Sequence, residues 1–392
     1  MTIRLLYLSS VPLRDETGGS VVMYHHLDEH NDFEVLEINN LSLQSTKTSF
    51  LRRAVDTCFS RISRTRWHLW GHSYEQIWRY RVLPRSVLKD IRLFAPDVVL
   101  TVAHGNLFWL ARVTAKRLQL PLVSIYHDWW PMLLQQSYSL RPSDVDAISR
   151  RFHQLYSDSD GVLCISEGMR RSLGNHPNSH ILYPATSRQL KPILVKSATN
   201  PEDFRLLYSG NISASYGQKL RSLICTQPAE SLVRLSVYGN PYDWPEADRN
   251  AACKKGIIKP FIPPDSFSET LSRASALLTV ISFDPEVSKL MSTNFPSKIA
   301  TYAAFGKPLV VWAPPYSTAA QFVRQHDCGL LIEDPSPEAV WQVLSMLVTN
   351  ARQQEYLAEQ ALRLHRDILN PDDIHQKFVQ HIEAVCSSLS RS

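Results

Sequence analysis

No window of this sequence approaches the roughly 18 consecutive apolar residues that a membrane span needs. Nor does it open on a basic leader with an apolar run and a small-residue cleavage site. Met1 to Leu8 reads instead as a first strand, so the expected location is the cytoplasm, with a peripheral seat on the inner face of a membrane as a further expectation. Cysteine is sparse: the six residues, Cys58, Cys164, Cys225, Cys253, Cys328 and Cys386, lie far apart without a C-x-x-C pair. That spacing argues against a zinc site and a disulfide framework, and for reduced thiols. The G-x-G-x-x-G fingerprint is missing, so a nicotinamide cofactor is not expected. There is no repeat, heptad or low-complexity tract, and no recognised nucleic-acid motif.

What is present is length and alternation. At 392 residues, against a prior of roughly 100–200 per domain, the chain should form two domains. Short apolar runs rich in Val, Ile, Leu and Tyr alternate with helical patterns in both halves. The strand candidates are Ile3–Leu8, Phe33–Ile38, Val98–Val102, Leu122–Tyr126, Val162–Ile165 and Ile181–Tyr183. In the second half they are Arg205–Tyr208, Arg234–Tyr238, Ile257–Ile262, Ala276–Ile281, Leu309–Trp312 and Gly329–Ile332. This pattern predicts an α/β chain of two Rossmann-like, doubly wound domains, 1–190 and 204–370, facing a cleft at the carboxyl ends of their strands. Between them, 185–203 loses the alternation and gains Pro, Ser and Asn, as a linker does. A final helix, capped by Asn370 to Asp373, closes the chain.

The net charge of +5 is uneven: residues 47–89 carry ten Lys/Arg from Lys47 to Lys89 against Asp56 and Glu75. Trp67, Trp70, Tyr74, Trp78 and Tyr80 are interleaved with them. Such a segment suits an anionic membrane surface or a phosphate-bearing acceptor, and equally a solvated helical insertion whose aromatics pack on their own domain. Nucleic acid is not an expected partner.

Four places could carry chemistry. The loop Ser9 to Ser20 follows the first strand, and Gly18 and Gly19 would let backbone approach a phosphate or sugar hydroxyl before a helix expected near Val21. His127 ends the fourth strand, with Asp128 and Trp129 behind it, an acid/base or hydrogen-bonding group beside aromatic surface suited to sugar rings. His104 is similarly placed after the third strand. In the second half, Gly210 and Asn211 open a small-residue loop running through Tyr216 and Gly217 to a helix expected from Gln218. Finally, Pro296 stands at a first helical position, with the Ser297 hydroxyl and Lys298 ammonium where a helix start favours anions. The Asp144/Asp146 and Asp158/Asp160 pairs read as caps or solvated faces and not as metal ligands.

These features in this order resemble the GT-B-fold glycosyltransferases, most closely the retaining enzymes of glycosyltransferase family four, which build bacterial surface polysaccharides and glycolipids. The resemblance rests on Gly18, Gly19 and Ser20, His127, the run Val162 to Met169, Tyr208 to Ser213, Val237 to Gly239, and Phe295 to Pro308. It implies an acceptor-binding first domain, with the C-terminal helix 371–392 packing back on it, and a second domain that binds a UDP- or GDP-linked sugar. The saccharide or lipid-linked acceptor would be glycosylated with retention and without a metal. His127 would hydrogen-bond the donor sugar. The donor would be held by Gly18, Gly19, Gly210, Asn211, Tyr216, Gly217, Thr293, Asn294, Pro296, Ser297, Lys298 and Thr301, with His104, Asp128 and Trp129 on the acceptor side.

The pattern also departs from that family. Thr293 and Thr301 fall where members usually place two Glu, and the usual Gly-Arg and Lys-Gly become Gly210-Asn211 and Tyr216-Gly217. The expected cation is thus Lys298, with Lys219 or Arg221 as substitutes. The competing reading is a non-catalytic sugar- or nucleotide-binding relative that partners an active transferase. Sugar-nucleotide epimerisation lacks a suitable carboxylate pair, and a periplasmic binding protein lacks an export signal.

Overall fold

The structure, a computed structural model, describes residues 2–14, 18–45, 50–188, 190, 192 and 201–389. Lys47, residues 15–17 of the first loop, and residues 189, 191 and 193–200 of the expected linker lie outside these. Contacts divide the chain into one unit of Met1–Tyr183 with His375–Ser392, and a second of Pro184–Ile374.

The first unit is a six-stranded sheet of β1 (Ile3–Leu8), β2 (Phe33–Ile38), β3 (Val98–Val102), β4 (Leu122–Tyr126), β5 (Gly161–Cys164) and β6 (Ser179–Ile181), in the order β2-β1-β3-β4-β5-β6. Every pairing is parallel. β3, β4 and β5 are buried at every position, which is why they read as continuous apolar runs and not as alternating ones. The core beneath them gathers Leu6, Val99, Tyr126, Phe152 and Val162. The helix Pro371–Leu389 supplies buried Phe378, Ile382 and Val385. It meets the sheet closely: a β-carbon on Gly161 would lie 2.6 Å from His381 Nε2 and from Val385.

The second unit repeats the plan with β7 (Phe204–Ser209), β8 (Val233–Tyr238), β9 (Ile258–Lys259), β10 (Ala276–Val280), β11 (Leu309–Trp312) and β12 (Leu330–Ile332), ordered β12-β11-β10-β7-β8-β9. These pairings are parallel as well. The twelve expected strands are thus present with small shifts of boundary. The largest is at β9, where Pro260, Pro263 and Pro264 have no N–H to give a ladder and pairing stops after Lys259.

Two helices start earlier than the sequence suggests. The first begins at Gly18 and not near Val21, and that after β7 begins at Ala214 and not at Gln218. The charged segment is helical: Phe50–Ile62, His68–Ser73, a π-helical turn at Tyr74–Trp78, then Arg85–Phe94. Asp144 packs on Ser73 and Arg141, and Asp158 on Arg112, so these acids hold the fold together. Among the described residues, no helix is long and apolar enough to cross a membrane.

Candidate functional site

In open parallel sheets, ligands settle outside the carboxyl ends of strands where the winding changes direction. In the first unit that point lies between β1 and β3, and in the second between β7 and β10. Of the expected residues, Gly18 and Gly19 follow β1 and His104 follows β3 in the first unit, while Gly210 follows β7 and Lys298 lies in the connection after β10 in the second.

In the first unit the loops after β1 and β3 are tied together. Ser10 Oγ accepts from the backbone N–H of Asn106 and of Leu107, each at 3.0 Å, and Gly105 takes φ +72 beside it. The Ser20 hydroxyl donates to Pro12 O at 2.7 Å, closing the first loop onto its helix. His127 follows β4 directly and is 6% exposed, and no partner for its Nδ1 is found among the described residues. Gly19 lies against that ring. Burial, with His104 nearby, pushes the His127 imidazole down to about 4, so it is neutral at pH 7 and serves as a hydrogen-bonding group and not as a stored proton.

His104 stands 3.8 Å from Asp128 through Nδ1 and packs on the Trp130 ring at 4.1 Å. Burial lowers it to about 4 as well, although a third of the side chain reaches solvent. The two tryptophans divide differently from the expectation. Trp129 precedes the helix Trp130–Ser137 and packs edge-on against Phe152 and His153. Trp130, which was not among the expected site residues, is the one beside His104, with its buried Nε1 unpaired among the described residues.

In the second unit Gly210 adopts φ +133, and its N–H donates to Tyr238 O at 2.9 Å. A β-carbon there would lie 2.7 Å from Nζ of Lys298. Lys298 reaches this spot from the helix Ser297–Ala303, with its ammonium 5.1 Å from the centre of the Tyr208 ring. Burial lowers Lys298 to about 8, and no carboxylate pairs with it among the described residues. Tyr302, one turn further along the same helix face, accepts from Ser209 N at 2.9 Å and donates to Ser209 O at 3.2 Å. Strand β7 and the Lys298 helix are therefore joined at the glycine turn. The helix has 7 residues, so its dipole is small and the ammonium supplies the positive charge. Pro296 is its N-cap residue and Ser297 is exposed.

Other expected donor contacts are placed differently. Asn211 is exposed and spends its side chain on the local turn, its Oδ1 accepting from Ser213 N at 3.0 Å and Ser213 Oγ at 2.5 Å. Tyr216 and Gly217 lie inside the helix Ala214–Cys225 and not in a loop; Gly217 N donates to Ser213 O, and a β-carbon on Gly217 would strike the Ile212 carbonyl. Gly217 is thus a packing glycine. The N–H of Ala214, at this helix start, is taken by Asp243 Oδ2 at 2.6 Å.

Lys219 rests on the Phe283 and Trp312 rings and donates to Pro335 O, and Arg221 pairs with Asp248, so neither replaces a diphosphate cation here. Thr293 is fully buried and its hydroxyl donates to Lys289 O at 2.7 Å. The carbonyl of Asn294 accepts from Thr318, and Thr301 is half-buried.

Residues 46–184 match the model of Glycosyltransferase Family 4. HepE of Anabaena, solved in complex with UDP, shares the fold at a TM-score of 0.65 and 13% identity, over 98% of this chain and 100% of its own. Sucrose-phosphate synthase from Thermosynechococcus elongatus aligns at a TM-score of 0.61 and 12% identity, over 99% and 90% of the two chains. WaaG, a glycosyltransferase involved in lipopolysaccharide biosynthesis, aligns at 0.58 and 13%, over 96% and 98%. No curated protein matches the sequence. The two sheets are the Rossmann-like pair of the GT-B fold.

Proposed function

We propose that this protein is a glycosyltransferase that moves a sugar from a nucleotide diphosphate carrier to an acceptor hydroxyl. The observation that carries the reading is Lys298, a cation without a carboxylate partner among the described residues, held in a largely desolvated place against the open backbone of Gly210. A buried ammonium is costly unless an anion completes it, and a diphosphate is the anion that a glycine turn at a strand end accommodates. In the unit of Pro184–Ile374 this turn would bind the donor, and Lys298 would stabilise the charge that grows on the leaving diphosphate. His127, neutral and oriented by Gly19, would hydrogen-bond the sugar, with His104 and Asp128 serving the acceptor.

Transfer with retention, a UDP- or GDP-linked donor, independence from metal and a role in bacterial polysaccharide or glycolipid synthesis complete the proposal. HepE, which holds UDP, makes UDP the first probe to use. In calorimetric titration UDP should bind more tightly than UMP, and Lys298→Met should remove that difference. Equal affinity for UMP and UDP would reject the diphosphate cradle.

The non-catalytic reading has one observation in its favour. The Thr293 hydroxyl is spent on a backbone carbonyl, where relatives would present a carboxylate to the donor sugar. Nucleotide-sugar binding without hydrolysis or transfer across a donor and acceptor panel would decide for it.

A membrane surface is the proposed location of the acceptor, with the protein cytoplasmic and peripheral. Trp67, Trp70 and Trp78 are each about half exposed, and guanidinium groups of Arg66, Arg141 and Arg81 lie over them. Aromatic rings beside cations favour the headgroup boundary of anionic lipid.

A further inference from the structure

A second cluster of polar side chains lies away from both turns, where the C-terminal helix meets the first sheet. His30 and Asp32 stand in the short connection between the helix Gly18–Leu27 and β2, and His375 in the first turns of the helix Pro371–Leu389. One donor atom from each lies within 4.8 Å of the others. His375 Nε2 is 2.9 Å and His30 Nδ1 3.8 Å from the same carboxylate oxygen, Asp32 Oδ2. The two imidazoles are stacked, with centroids 3.4 Å apart and planes at 16°, so a shared ion requires one ring to turn out of the stack until both in-plane lone pairs converge.

We propose that His30, Asp32 and His375 form a binding site for a divalent transition metal of the zinc class. Two imidazole nitrogens and one carboxylate are a donor set suited to zinc, cobalt or nickel and poorly suited to magnesium or calcium. Tetrahedral ligands at about 2.0–2.1 Å from zinc stand about 3.3 Å from one another, between the 2.9 and 3.8 Å that separate the two histidine nitrogens from Asp32 Oδ2.

The supporting shell is in place. His375 turns its other nitrogen, Nδ1, to His26 Nδ1 at 3.2 Å, and His26 is fully buried and stacked on Phe378 at 4.6 Å. A ligating histidine is commonly oriented by a hydrogen bond to its second nitrogen, and His26 fixes the His375 ring so that Nε2 faces Asp32. The Asp32 side chain is 46% exposed while those of His30 and His375 are 10% and 7% exposed, so an ion could enter from solvent on one side and keep water there. With the metal bound, the first turns of the last helix would be clamped to the first sheet. Spacing along the chain does not reveal such a site, because His375 stands 343 residues from Asp32.

The test is titration of the full chain, stripped with chelator, by Zn²⁺ alone, and by Co²⁺ as a spectroscopic probe. One equivalent should bind, with visible Co²⁺ absorption and a rise in Tm on adding Zn²⁺. Asp32→Asn, at the exposed ligand, and His30→Ala should each weaken binding by at least about tenfold and suppress the rise in Tm. Asp32→Asn leaves the packing of His26, His30 and His375 in place, so the test survives if a histidine variant fails to fold. Failure of the wild type to bind micromolar Zn²⁺, or unchanged affinity in both variants, would overturn the proposal.

Discussion

A β-carbon placed on Gly19 would lie 3.1 Å from Nδ1 of His127, so the first loop and the end of β4 are fitted so closely that a methyl group enters only if the ring gives way. Gly19→Ala should therefore push the imidazole by a few tenths of an ångström. Placement of a reacting partner matters steeply, so turnover should fall about tenfold or more while UDP affinity in titration stays near wild type. His127→Ala should cost about 100-fold or more in turnover with an unchanged circular dichroism spectrum. Transfer in that variant at the wild-type rate would remove His127 from the chemistry.

Lys298 links binding and stability in opposite directions. In the folded protein it releases its proton at about 8, below the ordinary lysine value, so the unfolded chain binds more protons between those pH values. The cost of the buried charge is present in full below about 8 and is relieved as pH rises toward the unfolded value. Lys298→Met should consequently stabilise the unliganded protein at pH 7, by roughly 1 kcal/mol once partial solvent screening is allowed for. UDP should instead bind less tightly to the wild type as pH rises through 8, because the ammonium is lost. Thermal melts and titrations at pH 7 and 9 check both signs.

Gly217 separates packing from binding. Its β-carbon would collide with the Ile212 carbonyl and lie 2.9 Å from Trp244 Nε1, which itself donates to Ile212 O at 2.7 Å. Gly217→Ala should lower stability by about 1–3 kcal/mol in urea unfolding. A fully stable variant would show that the loop after β7 yields easily.

Liposome sedimentation tests the charged aromatic segment. Binding should require anionic lipid and weaken with salt over the range where the Debye length shrinks below about 8 Å. Replacing Trp67 and Trp78 with Ser should reduce it several-fold without changing Tm, since both rings are exposed. Arg52 and Arg79 are poor choices for such variants: Arg52 donates to the carbonyls of Arg79 and Val82, and Arg79 is paired with Asp56 and Glu75.

The strands were legible because parallel strands buried on both faces leave unbroken apolar runs, as at Val98–Val102 and Leu122–Tyr126. The meeting of Lys298 with Gly210 was legible in kind, since both stood at turns suited to anions. Tyr302 was missed, although its spacing of four from Lys298 puts the two on one helix face and could have found it. Gly217 was misread because a sequence shows a small residue but not the carbonyl that demands it. Whether Trp129 or Trp130 enters the core depends on where one helix begins, and single-sequence patterns place such boundaries only to within a few residues.

The helix Pro371–Leu389 has a consequence for how the protein is made. Its buried Phe378, Ile382 and Val385 complete a core whose other members are translated hundreds of residues earlier. The unit of Pro184–Ile374 can close once its own strands and the helices that carry Trp341, Leu344 and Leu357 are out of the ribosome. The unit begun first must wait, with the surfaces around Phe33 and Gly161 uncovered, until that helix has emerged.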